Sequence, residues 1–222
     1  VSELYLPLTL NTTREIFRKD VEQRFVSEHN TEFLEETGLI KIMRYNDIFL
    51  RPYSVCNCRY DVHFSSKETK TPLKYDLNYR NFYMVSQGSV KIKLIPPKSS
   101  KYLYTIKDYD NFEFLSPVNP WDVQSQFKSD FDKLKTLEVE LKKGQIIYIP
   151  AYWWYSFNYA ENSSLCVFKY STYMNNIAIS NHLLVNLLQT QNVKREIVKK
   201  KKLDEIIPPK ELIISENEKQ EE

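Results

Sequence analysis

The chain has 222 residues, 42% of them hydrophobic and 14% aromatic, enough apolar material for one sizeable core and too much for a disordered chain. Its 31 basic and 29 acidic residues leave a formal charge of +2. That balance supplies none of the long-range positive field on which duplex binding relies, so nucleic acid is not favoured as a partner.

Cys56, Cys58 and Cys166 are the only cysteines, too few for a disulfide framework and short of four-thiolate zinc ligation; reduced thiols and a reducing compartment are expected. In chain order, Ile16, Phe17, Val21 and Phe25 recur at helical spacing among charges, predicting an amphipathic helix over residues 11–28 with Asn11 or Thr12 as N-cap. From residue 38 the signal changes to short β-rich runs at residues 39–44, 48–53, 81–85, 90–95, 136–141, 145–149 and 165–170. Turns are marked by Pro96-Pro97, Ser99-Ser100, Pro117, Pro120 and Lys143-Gly144. Several short strands at this spacing indicate a mainly β domain, a barrel or jelly roll.

Beyond Met174, the residues Ile177, Leu184, Leu187 and Leu188 fall three, four or seven apart, with Val193 following, the pattern of a helix with an apolar face to cover. The expected division is therefore a helical segment over residues 1–37 packing on the barrel, a β domain over 38–174, a C-terminal helix over 175–200 and a charged flexible tail over 201–222. The lysines of residues 199–202 suit a solvated helix end. No run approaches the roughly 18 apolar residues of a membrane span. A membrane anchor enters only if residues before Val1 are missing, and localisation is left open.

Asp61, His63, Cys56 and Cys58 lie close together in sequence, but Cys-x-Cys spacing is a weak metal signal. Cys166 sits between Leu165 and Val167, the context of a strand rather than of a nucleophile. The aromatic series Tyr148, Tyr152, Trp153, Trp154, Tyr155, Phe157 and Tyr159 suits a ligand cage or core filling, with core expected for about half of it.

Two segments resemble the JmjC and cupin-like hydroxylases, the group that includes the asparaginyl hydroxylase acting on hypoxia-inducible factor. The clearer is Leu141-Lys142-Lys143-Gly144-Gln145-Ile146-Ile147-Tyr148-Ile149-Pro150-Ala151-Tyr152-Trp153-Trp154, with a strand, a Gly turn, an apolar strand, then Pro and a tryptophan pair. The other runs from Thr71-Pro72-Leu73 through Asn81-Phe82-Tyr83 and Gly88 to Pro96-Pro97, and residues 114–118 resemble the linker between them. The resemblance implies a double-stranded β-helix with helical ends.

It also implies where iron and 2-oxoglutarate would sit, and there the sequence departs from the pattern. The family holds iron by His-x-Asp/Glu and a distal His; the corresponding residues are Lys74-Tyr75-Asp76 and Tyr155. The lysine that binds the cosubstrate falls at Val90, with Lys91 expected on the opposite face. A polar position of the last core strand falls at Phe168, while Thr71 and Asn81 match pocket positions. An ammonium repels a cation and a phenol has a pKa near 10, so no catalytic residue, metal or cofactor is expected; Thr71, Lys74, Asp76, Asn81, Val90, Tyr155 and Phe168 would form a vestigial pocket. Lys74 is expected to pair with Asp76 or Tyr155.

The alternative is an active iron and 2-oxoglutarate hydroxylase with a non-standard site built on Asp76 and His63. By position, the C-terminal helix resembles the one through which the asparaginyl hydroxylase group dimerises, so its apolar face would serve self-association or a protein partner, or pack on its own barrel. The residue usage resembles that of cupin-like proteins of large DNA viruses, some of them membrane-anchored.

Overall fold

The computed structural model describes residues 8–109, 111–160 and 163–192. Before the barrel come helix α1 (Leu10–Lys19), a two-residue strand β1 (Val26–Ser27), and helices α2 (Thr31–Glu36) and α3 (Leu39–Asn46). The strands that follow are β2 (Val55–Ser65), β3 (Leu73–Tyr75), β4 (Arg80–Gln87), β5 (Ser89–Ile95), β6 (Ile106–Asp108) and β7 (Glu113–Ser116). After α4 (Ser125–Phe131) come β8 (Leu137–Lys142), β9 (Ile146–Pro150), β10 (Trp154–Tyr159) and β11 (Ser164–Thr172), then α5 (Tyr173–Ala178) and α6 (Ser180–Asn192).

The strands form two antiparallel sheets, ordered β1-β2-β11-β4-β9 and β6-β7-β3-β10-β5-β8. Each interleaves early and late strands: β11 lies between β2 and β4, and β10 between β3 and β5. Side-chain alternation then sorts the residues into three layers. Between the sheets lie Tyr83, Val85, Val90, Ile92, Leu94, Leu141, Ile149, Tyr155, Phe157, Leu165 and Val167. Outside the first sheet, Tyr60, Val62, Phe168 and Tyr170 pack under α2 and α3 through Leu34, Ile40 and Met43. Outside the second, Leu73, Tyr75, Ile95 and Trp154 pack with Leu103, Phe114 and Ile179.

Asp47 pins α3 to the outer layer. Its buried carboxylate accepts from the Tyr60 and Tyr170 hydroxyls, both at 2.7 Å, and from Arg51 at 2.8 Å. Burial alone would raise its pKa, but these donors, Arg51 foremost, hold it below the usual carboxylate range. Gly88 turns β4 into β5 at φ 75°, and a Cβ there would lie 2.5 Å from Ser163 Oγ and 3.0 Å from its Cα. No larger residue fits without moving that backbone.

Several sequence expectations change. Residues 39–44 are helical rather than extended, because Ile40 and Met43 turn together onto the sheet, and residues 48–53 form turns rather than a strand. The first helix ends at Lys19 rather than near residue 28, and its cap is Thr9, whose hydroxyl accepts from the Thr12 amide. The C-terminal helix is two, α5 and α6; Val193 and the tail lie outside the described residues. Among the described residues no helix is long and apolar enough to cross a membrane.

Candidate functional site

The space between the sheets divides into an apolar half and a polar one. β3 alternates Leu73 and Tyr75 outward, which turns Lys74 inward, and Tyr155 is its cross-strand partner on β10. β4 brings in Asn81 and Tyr83, β2 brings Asp61 and His63, and β11 brings Lys169. Glu28 reaches in directly after β1.

Asp76 is the focus. Its carboxylate accepts from the Tyr155 hydroxyl at 2.8 Å, the Tyr83 hydroxyl at 3.0 Å and Lys169 Nζ at 2.9–3.0 Å. The two hydroxyls are themselves 2.8 Å apart, so two phenolic protons serve three close contacts. Burial would push the Asp76 pKa up, but the ammonium and hydroxyl of Lys169 and Tyr155 hold it below the usual range. Burial, reinforced by the charge of Asp76, raises both phenols well above their ordinary value, so they remain neutral donors.

Beside this group stands a second one. Glu28 Oε2 accepts from Lys74 Nζ at 2.5 Å, and Oε1 lies 3.7 Å from His63 Nδ1. His63 Nε2 faces Asp61 at 3.1 Å, and the same Asp61 carboxylate accepts the His29 and Asn30 amides at 2.9 and 2.7 Å. Burial opposes ionisation of Glu28, yet Lys74 first and His63 second hold its carboxyl far below the usual range. The interior thus holds three carboxylates, two ammoniums and one imidazole.

Two sequence expectations are corrected here. Lys74 makes its ion pair with Glu28; the ammonium on Asp76 comes from Lys169, although Tyr155 does meet Asp76. Phe168 faces the outer layer under α3, so it does not make the pocket more apolar; its neighbour Lys169 points inward. A shift of one residue exchanges the two faces of a strand.

Val90 is buried in the interior and Lys91 exposed on the opposite face. Thr71 has a structural use, with its hydroxyl accepting the Phe157 amide at 2.9 Å. Asn81 donates to the Ile149 carbonyl at 3.1 Å, while its own side-chain oxygen has no hydrogen-bond partner. Of the aromatic series, Trp154, Tyr155, Phe157 and Tyr159 are buried and Tyr148 and Tyr152 exposed.

Glu28 and Lys169 were missed by sequence reasoning, and Asp61 was weighed only beside His63 and the two cysteines as a metal cluster. Lys169 carried a signal, a lysine between buried Phe168 and Tyr170, but a lone lysine in a strand reads as solvent-facing. Glu28 carried none.

A facial metal triad needs two neutral imidazoles and a carboxylate with open positions. Here the carboxylate is bound by an ammonium and two phenols, and neither matching neighbour is an imidazole. His63 is directed to Asp61 and Glu28, with Tyr83 touching both its ring and Asp76. Among the described residues, no group of three or more His, Cys, Asp or Glu side chains is disposed to hold a metal ion. The residues present do not fit iron.

The interleaved antiparallel sheets with helices packed on their outer faces define a double-stranded β-helix of the cupin class. The cupin-like domain profile (Cupin_8) matches residues 17–178, and the chain belongs to that family. It is similar to JmjC domain-containing protein D of Dictyostelium discoideum, 34% identical over 102 residues, 45% of this chain and 22% of that protein. It is also similar to mouse HSPB1-associated protein 1, 27% identical over 86 residues, 38% of this chain and 18% of that one. The matched stretches span about a fifth of each relative's length. These relatives give no support to a viral source.

Proposed function

We propose that this domain has lost iron and 2-oxoglutarate binding and acts as a non-catalytic binding or structural protein on a retained cupin scaffold. One observation carries the reading: the Asp76 carboxylate, the one donor kept at a position matching the family's triad, is engaged by the Lys169 ammonium and two hydroxyls. A divalent cation would have to displace that ammonium and would gain one carboxylate and no imidazole at those positions. Fold alone does not carry activity, and the chemistry of the site decides.

The test is titration of the purified chain with manganese or ferrous ion, followed by calorimetry, together with 2-oxoglutarate turnover in the presence of iron and ascorbate. No saturable metal binding and no turnover above background are expected. Stoichiometric binding, or turnover abolished by Asp76→Ala, would overturn the reading in favour of an enzyme.

A further inference from the structure

Among the described residues the two sheets end in four strands, β1, β9, β6 and β8. An edge strand leaves a row of amides and carbonyls free to pair with another chain, and folded proteins blunt such edges by brevity or charge. β1 has two residues and β6 three. β8 is longer but carries Glu138, Glu140 and Lys142. β9, Ile146-Ile147-Tyr148-Ile149-Pro150, has neither defence: it runs for five residues without a charge and, among the described residues, pairs only with β4.

The register shows what this edge offers. Val85 donates its amide to the Gln145 carbonyl at 3.0 Å, and Tyr83 and Asn81 stand opposite Ile147 and Ile149. Antiparallel alternation therefore turns the amides and carbonyls of Ile147 and Ile149 toward β4 and those of Ile146 and Tyr148 outward. The side chains of the same two residues are uncovered as well, Ile146 being 42% and Tyr148 46% exposed. The layer under α2 and α3 draws on β2, β4 and β11 and includes no β9 residue.

The strand is also complementary to itself. In an antiparallel pairing centred on Tyr148, that residue meets its own counterpart, Ile146 meets Pro150, and Ile147 meets Ile149. The two Tyr148 residues then exchange both of their N–H···O bonds, and each Ile146 amide donates to a Pro150 carbonyl. Pro150, which has no amide hydrogen, is required only to accept. Lys143 falls opposite the uncharged Trp153, so the lysines of the two copies stay at opposite ends of the ladder. A foreign strand would have to reproduce this match, whereas every copy of the chain brings it.

We propose that β9 is an interface between two copies of this chain, paired antiparallel about a two-fold axis at Tyr148 so that their first sheets join into one. A closed two-fold pair is the commonest symmetric assembly, and it covers both open edges at once. The surface is separate from the apolar face of α6 and from the polar interior, and it stands whether or not that interior seats iron.

Sedimentation equilibrium of the full chain tests the proposal, with Tyr148→Lys, Tyr148→Glu and, on α6, Leu184→Ser. The parent should be dimeric at concentrations on the order of 100 μM, the range of a small strand-to-strand interface. Each charged variant sets like charges across the axis and should weaken association by at least about 30-fold. An equimolar mixture of the two sets an ammonium against a carboxylate and should recover most of the loss. Leu184→Ser should leave association unchanged. A dimer that survives both charged variants or is lost in Leu184→Ser, or a mixture that recovers nothing, would overturn the proposal. A parent that stays monomeric would overturn it in favour of a strand from another protein. Should the charged variants not fold, hydrogen exchange of the parent decides. The Ile146 and Tyr148 amides should exchange at least about 10-fold more slowly in concentrated than in dilute solution, and rates independent of concentration would overturn the proposal.

Discussion

Replacing Lys169 by Met leaves the Asp76 carboxylate inside the barrel with its two phenols and without the Lys169 ammonium. Breaking a buried ion pair by removing one partner costs about 3–5 kcal/mol. The side chains here keep 19% and 24% of their exposure, and the two hydroxyls go on donating to Asp76, so the loss falls toward the low end, about 2–4 kcal/mol. For a chain of this size each kcal/mol moves the midpoint by about 2–4 °C, giving a drop of roughly 5–15 °C. Urea unfolding at neutral pH, followed by tryptophan fluorescence, measures it with Asp76→Asn and the double variant completing a cycle. The double variant should lose at least about 1 kcal/mol less than the sum of the singles. A Lys169→Met chain within about 0.5 kcal/mol of its parent, or an additive cycle, would refute the idea that this ammonium holds Asp76 in place.

The carboxyls of Glu28, Asp61 and Asp76 all titrate below their ordinary values in the folded chain. Their contribution is therefore fully present above the unfolded carboxylate pKa near 4 and is lost as pH falls through the lower folded values. Urea midpoints should drop steeply below about pH 4, and less steeply in Glu28→Gln. Restoring imidazoles with Lys74→His and Tyr155→His should leave manganese binding weak while Lys169 neutralises Asp76; adding Lys169→Asn should produce measurable binding by calorimetry, and equal affinity in the double and triple variants would contradict the role given to Lys169. Phe168→Ala should cost about 3–5 kcal/mol by opening the layer under α3, with the acid limb of the stability profile unchanged. Gly88→Ala should destabilise by about 1–3 kcal/mol through its clash with Ser163 and its φ, measurable in the same urea assay.

Of the strands with apolar residues on their inner face, β10 was read only as an aromatic series, whereas β4, β5, β8, β9 and β11 were legible as short β-rich runs. β2, the longest at 11 residues, was not, because its inner positions near the site are Asp61 and His63, which invert the usual pattern. α3 was misread because the closely spaced apolar residues of its first turn also fit a strand. At the site, the resemblance put Asp76 and Tyr155 in one pocket, and the Tyr155 hydroxyl donates to Asp76 at 2.8 Å. The ion-pair partners of Lys74 and Asp76 were not foreseen, since Glu28 sits 46 residues from Lys74 and Lys169 93 from Asp76, separations that no local spacing encodes. Phe168 was displaced by a single residue of register, enough to exchange a core aromatic for an interior cation.

The interleaving of the sheets also governs how the chain is made. β10 and β11 occupy central positions, and β11 joins β2 across about a hundred residues, Ser164 against Phe64. At roughly 5–20 residues per second, on the order of 10 s of translation separates β2 from β11. Until then β2 and β4 expose long unpaired edges on a nascent chain, a period in which chaperone attention and aggregation compete with closure. Stop codons anywhere upstream of residue 172 should therefore leave products that are degraded rather than shortened domains that persist.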